Sequence, residues 1–394
     1  MITTKSTDRI VSVLFFLFVI FEINAYWERT VPINELFSLV GFGFLMIEYR
    51  KRQDSKIIKI IMVLNIIGFA QVVYSLLFRS TAPNYYLFFR TTPVWYSSFA
   101  FYLGLKFYEN IESYIVNIQR PYIKYLLLIW NFFSVERFTV FIISPLLLST
   151  YRVWLLLLYL IALRYFKGED TELLFVFFTI LFVVFKWHSV LFNFILNKKI
   201  IICALFLFFI ALIYTYENFS FFFDLDQLGA YQSLGIEKGN GLANVVWRWM
   251  FWTYLFNETI IHNISNIMMG IGFGVPIFDI NFVPSFLLVD ITDKEQENQP
   301  YFLGTHNSIF FVLVRQGIIV FSLLLMSFFE FFRIIKTQIQ KLNYQDLMIV
   351  LSFFLILIGA LFNVILESPV YGSLFWIHFG MAVAVVEKRK KCKK

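Results

Sequence analysis

The stretch HNSIFFVLVRQGIIVFSLLLMSF, residues 306–328, decides the fold class. Three polar residues open it, and an apolar run follows that is interrupted only by Arg315 and Gln316 before Gly317. An α-helix of about 20 such residues crosses the roughly 30 Å hydrocarbon core of a bilayer. Similar runs recur along the 394 residues, of which 59% are hydrophobic. The alternation with period two that is typical of membrane barrels is absent, so we expect an all-α polytopic membrane protein.

Basic residues between the apolar runs predict how the chain crosses the membrane. They occur in short blocks, at 50–56, 198–199, 333–341 and in a tail, 387–394, with six basic residues. Such blocks mark the cytoplasmic side, so both termini are expected inside the cell and the number of spans is even. Because the net charge of +7 resides in these blocks, it predicts a lipid bilayer as partner and no nucleic acid. The predicted spans are 10–27, 33–49, 57–78, 93–113, 123–135, 138–151, 153–166, 171–187, 199–216, 306–328, 347–364 and 369–386.

The number of twelve spans depends on four crossings between residues 122 and 187, where tilted or half-crossing helices fit equally well. Three regions follow from this organisation: an N-terminal helix bundle (1–216), one long external loop (217–305) and C-terminal spans with a basic cytoplasmic tail (306–394). The loop holds ten acidic and three basic residues. Long ordered loops are usually functional. Its aromatic stretch GLANVVWRWMFWTYLF (241–256) predicts an interfacial helix.

Arg248 is the only arginine of that loop, and Trp252 follows one helical turn later. A guanidinium is always charged and forks onto phosphate oxygens, so a phosphate ligand at the outer membrane face is one interpretation. An interfacial arginine whose charge reaches water is the other. The glycines of GIGFG (270–274) favour a tight turn between helices over direct contact with a ligand.

His306 stands where the polar loop becomes apolar. Histidine has an ordinary pKa of about 6.5, which suits proton transfer at neutral pH, and at this position it could accept a proton from a sugar hydroxyl. The alternative is a helix start with Thr305 as the capping residue. His262 is the rival histidine of the same loop. Neither a metal-binding cluster nor a nucleotide-binding loop is recognisable, so no cofactor is expected.

RWMFW (248–252), GIGFGVP (270–276) and THNSIFFVLVRQG (305–317) occur in this order, and together they resemble the bacterial O-antigen polymerase and O-antigen ligase superfamily. The resemblance covers residues 199–386, and ERFTVFIISP (136–145) is similar to an external arginine turn of that family. It departs from the family at RYFKGED (164–170), and Arg315 fits no family position; a carboxylate such as Glu367 is its expected partner.

The resemblance implies a multi-pass glycosyltransferase of the bacterial cytoplasmic membrane that acts on its outer face. Its donor would be a glycan linked to undecaprenyl diphosphate, it would need neither metal nor nucleotide, and a chain-length regulator protein is a further expected partner. Arg248 would bind the diphosphate, and Arg137 would be a second phosphate contact. His306 would position or deprotonate the acceptor hydroxyl. Trp252 and Asn307 would contact the substrate.

Three functions remain open from the sequence. A polymerase joins repeat units, whereas a ligase with the same chemistry transfers finished polymer to lipid A–core; we favour the polymerase. A lipid-linked glycan flippase is the alternative of another class. It would depend on the charges within spans, namely Glu22, Glu35 and Arg315, whereas an enzyme would depend on Arg248 and His306.

Overall fold

The computed structural model describes part of the chain, and all regular structure in that part is helical. The described residues are 40–45, 47, 50, 52, 54–108, 158, 161–162, 165, 170–181, 190, 193–194, 196–218, 241–261, 263–277, 307–363 and 365–391. This confirms the prediction of an all-α protein for these ranges. Several predicted spans, including 10–27 and those between 123 and 166, fall largely or wholly outside them.

The described part of the chain contains the following helices, in chain order. Residues 40–45 are helical. The elements that follow are α1 (Lys56–Tyr74) with a π-helical end (Ser75–Arg79), α2 (Tyr85–Arg90), α3 (Pro93–Tyr96) with a 3-10 turn (Ser97–Phe99), α4 (100–108), α5 (Asp170–Thr179), α6 (Lys198–Glu217), α7 (Gly241–Tyr254) with a π-helical end (Leu255–Ile261), α8 (Ile264–Met269), α9 (Ser308–Gln338) with a 3-10 turn (Ile339–Lys341), α10 (Tyr344–Phe362) and α11 (Pro369–Lys391).

Four helical segments among the described residues are long and apolar enough to cross a membrane: Lys56–Arg79, Lys199–Glu217, Ser308–Lys341 and Gln345–Phe362. Their outward side chains are apolar too, as on α6, where Phe206 is 62% exposed. Exposed side chains of this kind are stable in a lipid bilayer, where they need no protein partner. The chain is therefore a membrane protein, and the full set of twelve spans stays a prediction.

Ion pairs gather at one end of the bundle. Arg52 pairs with Glu387 at 3.3 Å, and Glu330 pairs with Lys56 at 3.6 Å and with Arg333 at 2.6 Å. These residues belong to the start of α1 and to the C-terminal parts of α9 and α11, so α1 runs antiparallel to α9 and α11. We call these five residues and their surroundings the basic end.

The glycine-turn end, defined by Gly270–Gly274 and the residues that hold it, lies at the other end of α1. From Lys56 to Arg79 the helix rises about 35 Å at 1.5 Å per residue. Arg79 donates a hydrogen bond to the carbonyl of Gly270 at 2.7 Å, which fixes the turn at this end. The two ends are therefore separated by about the thickness of a bilayer core.

Phenylalanine rings fill the space between α9, α10 and α11. Phe353 stacks on Phe379 with ring centroids 4.7 Å apart, and Phe328 and Phe331 meet both rings edge to face or at a tilt. Such arrangements add favourable electrostatics to close packing. These rings hold α9, α10 and α11 together on the side of Glu330 and the basic end.

Candidate active site

Helix α9 is broken at Gly317, where φ is 75° and ψ is −177° inside an otherwise continuous helix. A break of this kind deprives the preceding turn of its helical hydrogen-bond donors, which is costly away from water. Other groups supply the donors here. The carbonyl of Val314 accepts from Ile271 N at 2.9 Å, that of Arg315 from Gly272 N at 3.1 Å, and that of Gln316 from Gln71 Nε2 at 2.8 Å.

The glycine turn fits this break because it has no side chains at its alternate positions. Gly270, Gly272 and Gly274 have φ of 72°, 87° and 66°, which side chains disfavour. A Cβ on Gly270 would lie 2.3 Å from the carbonyl oxygen of Arg315. A Cβ on Gly317 would lie 2.4 Å from the carbonyl oxygen of Met268. The backbones of the turn and of α9 therefore touch directly, and only glycine permits it.

The N–H groups of the turn are used within the protein. Besides the two bonds to α9, Phe273 N donates to Ser75 Oγ at 3.0 Å, and Gly274 N donates to Thr91 Oγ1 at 2.8 Å. Gly270 N donates to the carbonyl of Asn266 at 2.9 Å. A phosphate-binding loop needs N–H groups that point at its ligand. The arrangement therefore favours the sequence interpretation of a tight turn between helices over one of direct ligand contact.

Two arginines bind the carbonyl side of this turn. Arg315, buried completely, donates through Nη1 to the carbonyls of Gly272 at 3.2 Å and of Val275 at 2.5 Å. Half-buried Arg79 donates to Gly270 O and to Ser265 Oγ, each at 2.7 Å. Glu367 is close enough for its charge to act on Arg315, and the pairing of the two that the sequence suggests stays a prediction. Arg315 thus has a structural task that does not depend on moving a substrate through the membrane.

Helix α7 brings Trp252 to the first turns of α9. The ring of Trp252 lies 6.4 Å from that of Phe310, and both meet Phe208 of α6 at 6.2 and 6.4 Å. Trp249 completes the cluster and donates from Nε1 to Thr215 Oγ1 at 3.2 Å. This aromatic cluster fixes α7 against α6 and α9, and Arg248 lies one turn before Trp252.

The Arg248 side chain is half-buried. Burial lowers the pKa of its guanidinium, because removal from water disfavours the charged form. An ordinary arginine pKa is so high that the group stays charged at neutral pH. A partly dehydrated, permanent cation beside aromatic rings binds an anion more strongly than one in bulk water.

Asn307 begins α9 as its capping residue: its side-chain oxygen accepts from Phe310 N at 3.0 Å. The cap is therefore Asn307, two residues after the Thr305 considered from the sequence, because the helix starts only at Ser308. This gives Asn307 a structural role, beside which its contact with the substrate stays a prediction.

Ser308 joins the start of α9 to the turn between α10 and α11. Its hydroxyl oxygen accepts from Ile365 N at 2.7 Å and from Leu366 N at 2.9 Å, and it bonds the carboxylate of half-exposed Glu367. Sequence patterns do not single out this connection, because a serine after a polar pair looks like any helix start. The sequence analysis did not select Arg79 either. Arg79 follows a predicted span, whereas Arg137, which was selected, precedes one.

Two of the predicted site residues, His306 and Arg137, lie outside the described residues, as does His262. Of the others, Arg248 and Trp252 belong to α7 and Asn307 caps α9, and the two helices meet where Trp252 contacts Phe310. Within the described ranges, no three His, Cys, Asp or Glu side chains are arranged to hold a metal ion.

In comparisons with known proteins, no family model matches the chain. No curated protein matches it either.

Proposed function

We propose that this protein is a glycosyltransferase of the bacterial cytoplasmic membrane that polymerises oligosaccharide repeat units carried on undecaprenyl diphosphate. The reacting end is the glycine-turn end, on the outer face, and the basic end with both termini lies in the cytoplasm. The concentration of cationic side chains at the basic end supports this orientation, because cytoplasmic ends of membrane helices are rich in lysine and arginine.

One observation carries the proposal: two of the sequence motifs, RWMFW and GIGFGVP, contact the first turns of α9, which belong to the third motif, THNSIFFVLVRQG. Phe310 contacts Trp252 of the arginine helix, and one turn later the carbonyl of Val314 binds the glycine turn. These turns follow directly after His306 in sequence. A set of motifs that were distributed along the chain for unrelated reasons would have no cause to pack against one another.

The chemistry needs two groups that these motifs supply. A hydroxyl of the acceptor sugar attacks the anomeric carbon of the donor, the bond from that carbon to the diphosphate breaks, and the electron pair leaves on the diphosphate. A fixed cation stabilises the charge that develops there, which is the role of Arg248, with Arg137 as a second contact. The hydroxyl proton passes to a base, which is the role of His306. The diphosphate already activates the donor, so the step balances without a further reactant.

A polysaccharide gel of a deletion strain tests the proposal. The strain is complemented with wild type, Arg248→Ala, His306→Ala or the matched control Arg333→Ala, which removes an exposed arginine of the basic end. Membrane levels of each variant are measured by immunoblot. Wild type and Arg333→Ala should give a ladder of polymer, and the two site variants should give core capped with a single repeat.

Other outcomes identify the alternatives. Long polymer that stays on the carrier lipid and never reaches core would indicate a ligase. A normal ladder from every variant would contradict the site, and dependence on Glu22 or Glu35 instead would indicate transport of the lipid-linked glycan. Glu22 and Glu35 lie outside the described residues.

A further inference from the structure

We infer that the basic end binds the headgroup of an anionic phospholipid through Lys56 and Lys59 of α1 and Lys336 of α9. This lipid site goes beyond the proposed glycosyl transfer and does not depend on it. All three side chains are exposed, and they belong to two helices that pack against each other along the bundle. The same helices carry exposed apolar side chains towards the middle of the bundle.

Helices α1 and α9 lie antiparallel and side by side. At the basic end, Lys56 Nζ lies 3.6 Å from Glu330 Oε2. Near the other end of α1, Gln71 Nε2 donates to the carbonyl of Gln316 at 2.8 Å. Residue numbers therefore rise along α1 as they fall along α9, and both helices contribute side chains at each level of the bundle.

Lys59 and Lys336 lie on one side of this helix pair. Lys59 is three residues after Lys56, and Lys336 is six residues after Glu330, so both are rotated away from the contact between the helices in the same sense. In an antiparallel pair, equal senses of rotation lead to the same side. Lys59 is one turn nearer the middle of the membrane than Lys56, and its long side chain lets the ammonium group reach the headgroup level.

Glu330 fixes Lys56 without using up its charge. Arg333 Nη2 lies 2.6 Å from Glu330 Oε1, closer than Lys56 Nζ lies to Oε2, so Arg333 neutralises the carboxylate. The Glu330 side chain is 8% exposed, whereas that of Lys56 is 64% exposed. An ammonium group has three donors. Lys56 is thus held above a nearly buried carboxylate and still presents donors outwards.

The charge at this site favours an anionic headgroup. In the part of the chain that the structure describes, Lys59 and Lys336 form no ion pair. The exposed carboxylate of Asp54, just before α1, offsets only one of the three lysines. Phosphatidylcholine carries a cation of its own, which the lysines repel, whereas phosphatidylglycerol has a net negative charge that attracts each lysine.

The apolar side chains beside the lysines fit the acyl chains of such a lipid. Val63 and Ile66 are exposed and lie four and seven residues after Lys59, on the same face of α1. Met326 of α9 is exposed as well. A soluble anion or a polar protein surface would use only the cations. A ligand with an anionic head and apolar chains uses both parts of the surface.

Native mass spectrometry of the full-length protein in a non-ionic detergent tests the lipid site. Phosphatidylglycerol and phosphatidylcholine with identical acyl chains are titrated separately, and the affinity of the first lipid bound is measured. Wild type should bind phosphatidylglycerol more tightly than phosphatidylcholine. The double variant Lys59→Gln/Lys336→Gln should weaken phosphatidylglycerol binding about thirtyfold, because each lysine near the headgroup contributes about fivefold. Its binding of phosphatidylcholine should not change.

Two further double variants separate a specific site from a general effect of charge. Lys198→Gln/Lys199→Gln removes two lysines from the start of α6 and should bind phosphatidylglycerol like wild type. Lys59→Arg/Lys336→Arg keeps both charges and should do the same. The elution volume in size-exclusion chromatography checks that each variant is folded, which is expected because neither Lys59 nor Lys336 takes part in an ion pair of the described chain.

Four results would overturn the lipid site. These are equal affinity of wild type for the two lipids, undiminished binding of phosphatidylglycerol by Lys59→Gln/Lys336→Gln, and the same loss in Lys198→Gln/Lys199→Gln. The fourth is displacement of phosphatidylglycerol by an equal concentration of inorganic phosphate, which would show that the lysines recognise the phosphate group alone. Glycosyl transfer is not measured in this experiment, so its outcome leaves the proposed reaction to its own test.

Discussion

The basic end and the glycine-turn end of the bundle use polar side chains in opposite ways. At the basic end, the side chains of Arg333 and Lys56 are 61% and 64% exposed, and both pair with Glu330, Arg333 within α9 and Lys56 from α1. At the glycine-turn end, Arg315 is wholly buried and donates to backbone carbonyls of an irregular segment. One end thus has regular helices with charges at their surface, and the other has broken helices that buried polar side chains hold together.

This difference between the two ends indicates at which end of the bundle the functional site lies. Exposed ion pairs contribute about 0–1 kcal/mol each, so the basic end could lose one at little cost. Irregular backbone at membrane depth is stable only where it is buried in protein or lines a cavity, so the break in α9 depends on all the groups that hold it. The candidate site lies at this end, where the first turns of α9 precede the break.

The largest effect is expected from Gly317→Ala. Its φ of 75° disfavours any side chain, and the new Cβ would lie 2.4 Å from the carbonyl oxygen of Met268. We expect a loss of at least about 3 kcal/mol of stability, seen as a lower thermal midpoint and a smaller monodisperse fraction in detergent. Gly43→Ala is the matched control, because its Cβ meets no atom within 4 Å. Equal midpoints for the two variants would contradict the account of the break.

Replacement of single arginines by methionine compares the two ends directly. Arg315→Met leaves the carbonyls of Gly272 and Val275 without their guanidinium donor and should cost roughly 2–4 kcal/mol. Arg333→Met removes an exposed guanidinium while Glu330 keeps its pair with Lys56, so it should cost about 1 kcal/mol, less than Arg315→Met. Chemical denaturation in mixed micelles measures both. Similar losses would show that the ends do not differ as described.

Arg248→Ala should reduce the rate of glycosyl transfer about a hundredfold, the effect of removing one group that stabilises developing charge. The thermal midpoint should stay near that of wild type, because the aromatic cluster of Trp252, Phe208 and Phe310 fixes α7 without this side chain. Arg248→Lys keeps a positive charge without the fork and should be intermediate. A large fall in the midpoint of Arg248→Ala would instead assign Arg248 a structural role.

The smallest effect concerns pH. If His306 accepts the acceptor proton, transfer should fall about tenfold per pH unit below a pKa of about 6.5, because protonated histidine cannot act as a base. The rate of transfer by reconstituted protein between pH 5 and pH 8 measures it, with Arg333→Ala as the control. A profile that stays flat would remove proton transfer from His306 and leave only positioning.

The sequence predicted the regular helices closely. The apolar run 57–78 corresponds to the helix that begins at Lys56 and ends at Arg79, and 199–216 corresponds to α6. These boundaries are local: Ser55 caps α1, and Asn197 caps α6 through its side-chain oxygen. Apolar composition and a capping residue are both visible in the sequence.

The sequence was less informative where distant residues decide. The predicted span 306–328 covers only part of α9, which continues to Gln338 past Glu330, a residue that pairs with Lys56 and Arg333. The sequence analysis did not predict the break at Gly317 either. A glycine within an apolar run is compatible with a straight helix, and the groups that bind the broken turn come from Gln71 and from residues 271–272.

The candidate site was predictable in its motifs and not in its contacts. Arg248, Trp252 and Asn307 could be selected because a charged, aromatic or amide side chain beside an apolar run is conspicuous. The packing of Trp252 on Phe310 could not, since it depends on how two helices meet. Ser308 is an ordinary residue in sequence, and only the structure shows that it joins α9 to the turn between α10 and α11.

The most direct test of the account is reconstitution of the purified protein in liposomes with the carrier-lipid-linked repeat unit alone, followed by separation of the products by size. The account predicts a ladder of lipid-linked polymer from wild type, little or none from Arg248→Ala, and a normal ladder from Arg333→Ala. Unchanged single repeat units after incubation with folded wild-type protein, or a normal ladder from Arg248→Ala, would contradict it.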